Sequence, residues 1–275
     1  YVMLKILKNL KKSWIYVIII VLLLIVQAIC DLRLPDYTSR IVNIGIQQGG
    51  IENSSPEVIR KTAMDDLLLF TDDDEEILED YTLISKDSLS EKDYEKYLKD
   101  YPELENQELY VQNKLESEEQ EELNNMMSKP LMVVYNLNNG EEAENIKTQI
   151  LSNIPQELQD QYKDKTALEM IKMMIAQSND AQSAGDAINN ELMSQVNEKI
   201  NEMPQSILEQ AAIEAIKQEY EAVGINLDDY KTHFIIVSGA QMLGISLIIM
   251  VSAITIMLLS SKVAARLAQT LRDKI

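Results

Sequence analysis

The sequence predicts a mainly α protein: two long transmembrane helices flank a mostly helical extracytoplasmic domain with at most a small β element. Two observations carry this expectation. The first is a pair of uncharged runs, the 18 residues from Ser13 to Cys30 and the 28 from Phe234 to Ser261. At about 1.5 Å per helical residue they reach roughly 27 and 42 Å, against a hydrocarbon core of about 30 Å. The second is the charge between them. The whole chain has 275 residues, 25 Lys+Arg, 45 Asp+Glu and a net charge of -20. Setting aside the eight cations and one acid of the two ends leaves residues 31–233 with 17 Lys+Arg and 44 Asp+Glu, a net of -27.

That balance excludes nucleic acid as a partner, because a phosphate backbone needs a basic face. A single cysteine, Cys30, excludes an internal disulfide. A single histidine, His233, excludes motifs that need two imidazoles. The chain opens on Tyr1 and reaches Ile275 inside an unfinished helical pattern, so a longer parent protein is expected.

Taken in order, residues 1–12 form a basic interfacial segment, with Lys5, Lys8, Lys11 and Lys12 among Leu4, Ile6, Leu7 and Leu10. Residues 13–50 form the first transmembrane helix and its outer extension, with Trp14 and Tyr16 as interface anchors. A cleaved signal peptide is disfavoured by the length of the apolar run. A lipoprotein signal is disfavoured by Gln27 and Ile29 before Cys30. Pro35 should kink or interrupt the helix, and Gly45, Gly49 and Gly50 mark its exit. Residues 262–275 carry Lys262, Arg266, Arg272 and Lys274 against Asp273. Cations at both ends place both ends in the cytoplasm and residues 31–233 outside a cell membrane.

Residues 51–225 form the acidic domain. Pro56 opens a helix through PEVIRKTAMDDLLLF, and Thr71 caps another whose first turn holds Asp72 to Glu76. Calcium binding is the competing reading of that run, but no EF-hand glycine or spaced ligand set follows. SLSEKDYEKYLKDY sets Tyr94, Tyr97, Leu98 and Tyr101 on one packed helical face. Leu131 to Leu137, LMVVYNL, reads as the one strand, closed by a turn at Asn138-Asn139-Gly140. Ile188, Leu192, Val196, Ile200 and Met203 form a helical stripe. Pro204 restarts it, Leu208, Ala212, Ile216, Tyr220 and Val223 continue it, and Gly224 ends it. Asn226, with Asp229 three residues on, caps the second transmembrane helix, residues 226–261, which continues as a cytoplasmic extension over 262–275.

Three stretches then resemble a family: LKILKNLKKSW, QAICDLRLPDYTSRIVNIGIQQGGIE and SSKVAARLAQTLRDKI are similar to the type IV ABC exporters. The likeness is to the bacterial heterodimer-forming half-transporters with a large extracytoplasmic domain between membrane helices 1 and 2. It implies an N-terminal fragment of an ATP-driven export subunit, with an external domain that caps or gates the outward mouth. It implies as partners the lipid bilayer, a second half-transporter, and nucleotide-binding domains reached through an intracellular loop beyond Ile275. ATP and Mg2+ are implied for the parent alone. This stretch has no G-x-x-x-x-G-K-[ST] loop and no Gly-Lys pair, so no catalytic residue, metal site or cofactor is expected in it.

A two-helix sensor or chemoreceptor shares the same plan. It would ordinarily carry Pro and Gly soon after the second span, and residues 262–275 contain neither. A permease of another type would share the topology but not KVAARLAQTLR. Within the spans, Gln27 and Gln241 are the candidate substrate-path residues, with helix-to-helix hydrogen bonding as the plainer role for both. Ser238, Gly239, Gly244, Ser246 and Ser252 read as small residues for close packing. His233 falls at the outer boundary.

Overall fold

The computed structural model describes residues 14–139, 141–153, 159–160, 162–177 and 204–272. The basic lead-in 1–12, Gly140 and the stripe from Ile188 to Met203 lie outside them. The fold is helical with one small sheet, flanked by two long apolar helices. Contacts divide the chain into two compact units: residues up to Gly50 together with Lys231–Ile275, and Ile51–Tyr230.

The first unit consists of helix α1, Trp14–Arg40, its π-helical continuation Ile41–Gln47, and most of helix α9, Leu227–Arg272. Pro35 does not interrupt α1. Pro35 is exposed, where the carbonyl it leaves without a donor lies at the helix surface. Gly45 lies within the π-helical turn rather than at the exit. The exit is made by Gly49 and Gly50, whose φ values of 73° and 88° belong to the left-handed region glycine favours.

The second unit begins with β1, Val58–Arg60, where the sequence predicted a helix from Pro56. Val58 and Ile59 are β-branched and fully buried, and they pair antiparallel with β3, Leu109–Gln112. The helix of that segment, α2, is confined to Lys61–Leu68. The other edge of β3 carries β2, Tyr81–Ile84, so the sheet order is β1-β3-β2. Between α2 and β2 lies α3, Asp74–Glu79. Its N-cap position is Asp73, not Thr71. Thr71 Oγ1 instead accepts the Asp73 N–H at 3.1 Å, and the acids Asp74, Glu75 and Glu76 occupy the first turn.

Helix α4, Glu91–Asp100, is capped by Ser90, whose hydroxyl accepts the Asp93 N–H and donates to the Asp93 carboxylate at 2.6 Å. Its Tyr94, Tyr97 and Leu98 pack on the core, as does Tyr101. Helix α5, Ser117–Asn139, overturns the predicted strand at Leu131–Leu137 and places Asn138 and Asn139 in helix rather than in a turn. Leu131 packs into one hydrophobic cluster, and Met132, Val133 and Leu137 into a second. A helix covered on two sides needs apolar residues all round, and the resulting unbroken run imitates a buried strand.

Two further helices follow, α6 at Glu141–Asn153 and α7 at Ala167–Gln177. They pack with α5 around the second cluster, which includes Ile150, Met170 and Ile171. Helix α8, Gln205–Ala222, begins directly after Pro204. It lays Ala212, Ile216 and Tyr220 into the first cluster against α5, with Leu208 in the second. Gly224, at φ 88°, closes it, and the Ile225 N–H reaches the Tyr220 carbonyl at 2.8 Å. Asn226 Oδ1 then accepts the N–H groups of Asp228 and Asp229 and starts α9. Neither Gly239 nor Gly244 breaks that helix.

Candidate functional site

The two apolar helices run antiparallel, and each end of the pair has its own contact. At one end the Arg266 guanidinium lies 4.9 Å from the centre of the Tyr16 ring. At the other, α1 comes so close to α9 that a Cβ added at Gly45 would stand 2.9 Å from Ile235 Cγ1. Gly45 is required there by space, not by backbone angle. Tyr16 to Gly45 and Ile235 to Arg266 span about 43 and 46 Å at the helical rise, so the two contacts agree on one register.

Burial follows the same seam. Along the first helix the less exposed positions are Tyr16, Val17, Ile20, Leu23, Gln27, Cys30, Leu34, Tyr37, Ile41, Ile44, Gly45 and Gln48, which apart from Val17 and Gly45 follow in alternating steps of four and three. Along α9 the less exposed positions include Ile235, Ser238, Met242, Ile245, Ile249, Ser252, Ile256, Leu259 and Val263, in steps of three and four, with Phe234, Gly239, Gly244, Ser246, Thr255 and Leu267 beside them. That 3.5-residue period is the signature of a coiled-coil seam. The faces turned away are apolar and open, with Leu22 at 56% and Met257 at 73% exposure.

The two candidate glutamines are not brought together. Gln27 lies on the seam, 18 residues from Gly45, while Gln241 is exposed and only six residues from Ile235. They are therefore separated by about 18 Å along the axis. Among the described residues neither side chain has a hydrogen bond to the other. The small residues divide as well. Ser238 and Ser252 are buried in the seam at 4% exposure each. A Cβ at Gly239 or Gly244 would meet nothing within 4 Å, so those two glycines serve no close approach here. Ser246 donates to the Met242 carbonyl and Thr255 to the Val251 carbonyl, the local bonds that satisfy a hydroxyl in an apolar helix. Trp14 and His233 are exposed.

The acidic unit has its own polar geometry. Arg60 Nε and Nη2 hold both carboxylate oxygens of Glu219 at 2.9 and 2.7 Å, which raises the Arg60 pKa and ties β1 to α8. Ser55, Gln120 and Asn124 form a hydrogen-bonded knot, with Ser54 and Ser128 beside it. Tyr81 donates to the Pro56 carbonyl, and Tyr220 accepts the Glu57 N–H. Burial pushes both tyrosines well above their ordinary pKa and Tyr101 up to about 12. Asp80 is raised by burial and by Glu119, Glu79 and Glu122 nearby. Among the described residues no group of three His, Cys, Asp or Glu is placed to hold a metal ion. A small groove between α2, α5 and α8 has an apolar floor of Ile59, Leu67 and Leu131 and a polar rim of Asn139 and Gln218, which bond to each other.

No protein-family model, curated protein or solved structure matches the chain. Two helices are long and apolar enough to cross a membrane, and they present open apolar faces on both sides of their common seam. The Tyr16–Arg266 and Gly45–Ile235 contacts were not foreseen from sequence. Gly45 carried the only usable signal, a glycine inside an otherwise β-branched helical stretch.

Proposed function

We propose that the chain is the N-terminal transmembrane portion of an ATP-driven export subunit of the type IV ABC kind, with an acidic extracytoplasmic domain at the outward mouth. The observation that supports this reading best is the length of α9. It runs without a break from Leu227 through the apolar run to Arg272, about 16 Å beyond Ser261 at the helical rise. A rigid helix that carries on past the end of its apolar run suits a subunit whose membrane segment works on a nucleotide-binding partner in the cytosol. In this proposal Gln241, on an open face, remains available to a substrate path, and Gln27 is engaged in the seam. The net of -27 over residues 31–233 would raise the local concentration of cationic solutes. ATP and Mg2+ belong to the parent chain, which would pair with a second half-transporter.

The test is to read the coding sequence past Ile275, then to purify the encoded full-length protein in lipid nanodiscs and assay ATP hydrolysis. Four more membrane helices, a phosphate-binding loop and magnesium-dependent hydrolysis are the expected results. A relay module leading to a kinase or a methylated coiled coil would replace this reading with that of a ligand sensor.

A further inference from the structure

The register of the hairpin fixes where the bilayer can lie, and it contradicts the position that hydropathy alone assigns to α9. Tyr16 is level with Arg266 and Gly45 with Ile235. The charged stretch of α1, with Asp31, Arg33, Asp36 and Arg40, is therefore level with residues 241–250 of α9, the middle of its 28-residue uncharged run. All four of those charged residues are exposed and none lies on the seam. A hydrocarbon slab drawn over the outer part of the α9 run would immerse them, two of them short carboxylates that cannot reach back to the interface. A slab drawn over the uncharged run of α1 instead takes in only Lys262 and Arg266 of α9. Both lie near its edge, where long cationic side chains extend to the headgroups. Trp14 and Tyr16 then fall at that same boundary, where amphipathic rings are favoured.

We infer that the hydrocarbon core contacts the hairpin over residues 14–30 of α1 and 251–267 of α9. The apolar stretch from Phe234 to Met250 stands outside it. Seventeen residues correspond to about 26 Å, within the range a membrane-spanning helix needs. Gln241 is then not an intramembrane residue at all, whereas Gln27 is, and of the two candidates only Gln27 has to be satisfied inside the bilayer. This inference rests on the membrane placement of the two helices and not on transport, so it holds equally for an exporter and for a sensor.

The test uses nitroxide labels at single cysteines replacing Leu22, Leu243 or Leu258, all exposed on the hairpin, in the full chain with Cys30→Ser. Each variant is reconstituted in phosphatidylcholine vesicles, and power saturation is read with oxygen and with a water-soluble nickel chelate. Leu22 and Leu258 should be reached by oxygen in preference to nickel, to the same degree. The preference should reverse at Leu243, although Leu243 and Leu258 belong to one uncharged run. Oxygen preference at Leu243 equal to that at Leu258, or a Leu243 label reached by neither probe, overturns the inference and leaves the membrane reading intact. Nickel preference at all three positions overturns both. Circular dichroism of each variant checks that the helices persist.

Discussion

Replacement of Gly224 by alanine separates two physical effects that meet at one residue. Gly224 has φ 88°, and a Cβ there would stand 3.0, 3.1 and 3.2 Å from the Cδ, Cβ and Cγ of Pro102. The left-handed backbone costs a non-glycine residue about 1–2 kcal/mol. Crowding in a packed site adds about 1–3 kcal/mol, because the Pro102 ring is rigid and cannot turn away. Gly224→Ala should therefore destabilise the acidic unit by about 2–5 kcal/mol, or about 4–20 °C in melting temperature for a domain of this size. The assay is thermal unfolding of the full chain in detergent, followed by near-ultraviolet circular dichroism of its 12 tyrosines. Gly239→Ala is the control, since its Cβ meets nothing and its helix gains a better helix former. It should leave that transition unmoved. In a Pro102→Gly background only the backbone part of the loss should remain. If Gly224→Ala unfolds within 2 °C of the parent, a shift of about 1 kcal/mol at most, the assignment of this turn as the joint that ends α8 is refuted.

Other expectations follow from the same geometry. Glu219→Ala leaves the Arg60 guanidinium without its bidentate partner at a half-buried position and should cost about 1–3 kcal/mol in urea unfolding. Asp80 has a raised folded pKa, so its protonated form favours the fold, and that contribution is lost as pH rises through the raised value. Asp80→Asn should therefore be more stable than the parent at pH 7, with the difference vanishing below about pH 4. Tyr101, raised to about 12 by burial, favours the fold fully below the ordinary phenol pKa of about 10. Stability should fall between there and about 12, and Tyr101→Phe should flatten that alkaline decline. Gly45→Leu forces a side chain into Ile235 and should lower the yield of any crosslink between the two long helices, measured against Gly244→Leu, which meets open space.

The long helices were legible because a bilayer-spanning run needs only length and apolarity, and both survive without knowledge of any partner. The start and stop of α8 were legible too, since Pro204 and Gly224 act through local backbone chemistry. The sheet was not. Val58–Arg60, Tyr81–Ile84 and Leu109–Gln112 are three or four residues long, too short for alternation to show, and they are held by pairing across as many as 53 residues of sequence, Val58 to Val111. The error at Leu131–Leu137 has the opposite cause, a helix with two buried sides that left no polar face to betray its period. The seam of the hairpin was hidden for a related reason. In an all-apolar helix, Ile20 and Ile19 look alike, and only burial distinguishes the one that meets α9 from the one that faces outward. Gln27 and Gln241 were picked for polarity alone, which says nothing of depth, so the 18-residue and six-residue offsets from the shared end came as structural findings.

The most direct test of the account is disulfide trapping in native membranes with paired cysteines in the Cys30→Ser chain. Gly45→Cys with Ile235→Cys should oxidise readily, because a Cβ at Gly45 would stand 2.9 Å from Ile235 Cγ1 and a disulfide needs Cα atoms within about 7 Å. Tyr16→Cys with Arg266→Cys should be captured by a short bis-maleimide at the opposite end. Capture of the exchanged pairs, Tyr16 with Ile235 or Gly45 with Arg266, would contradict the antiparallel register, and with it the hairpin on which both the depth of the helices and the proposed export role depend.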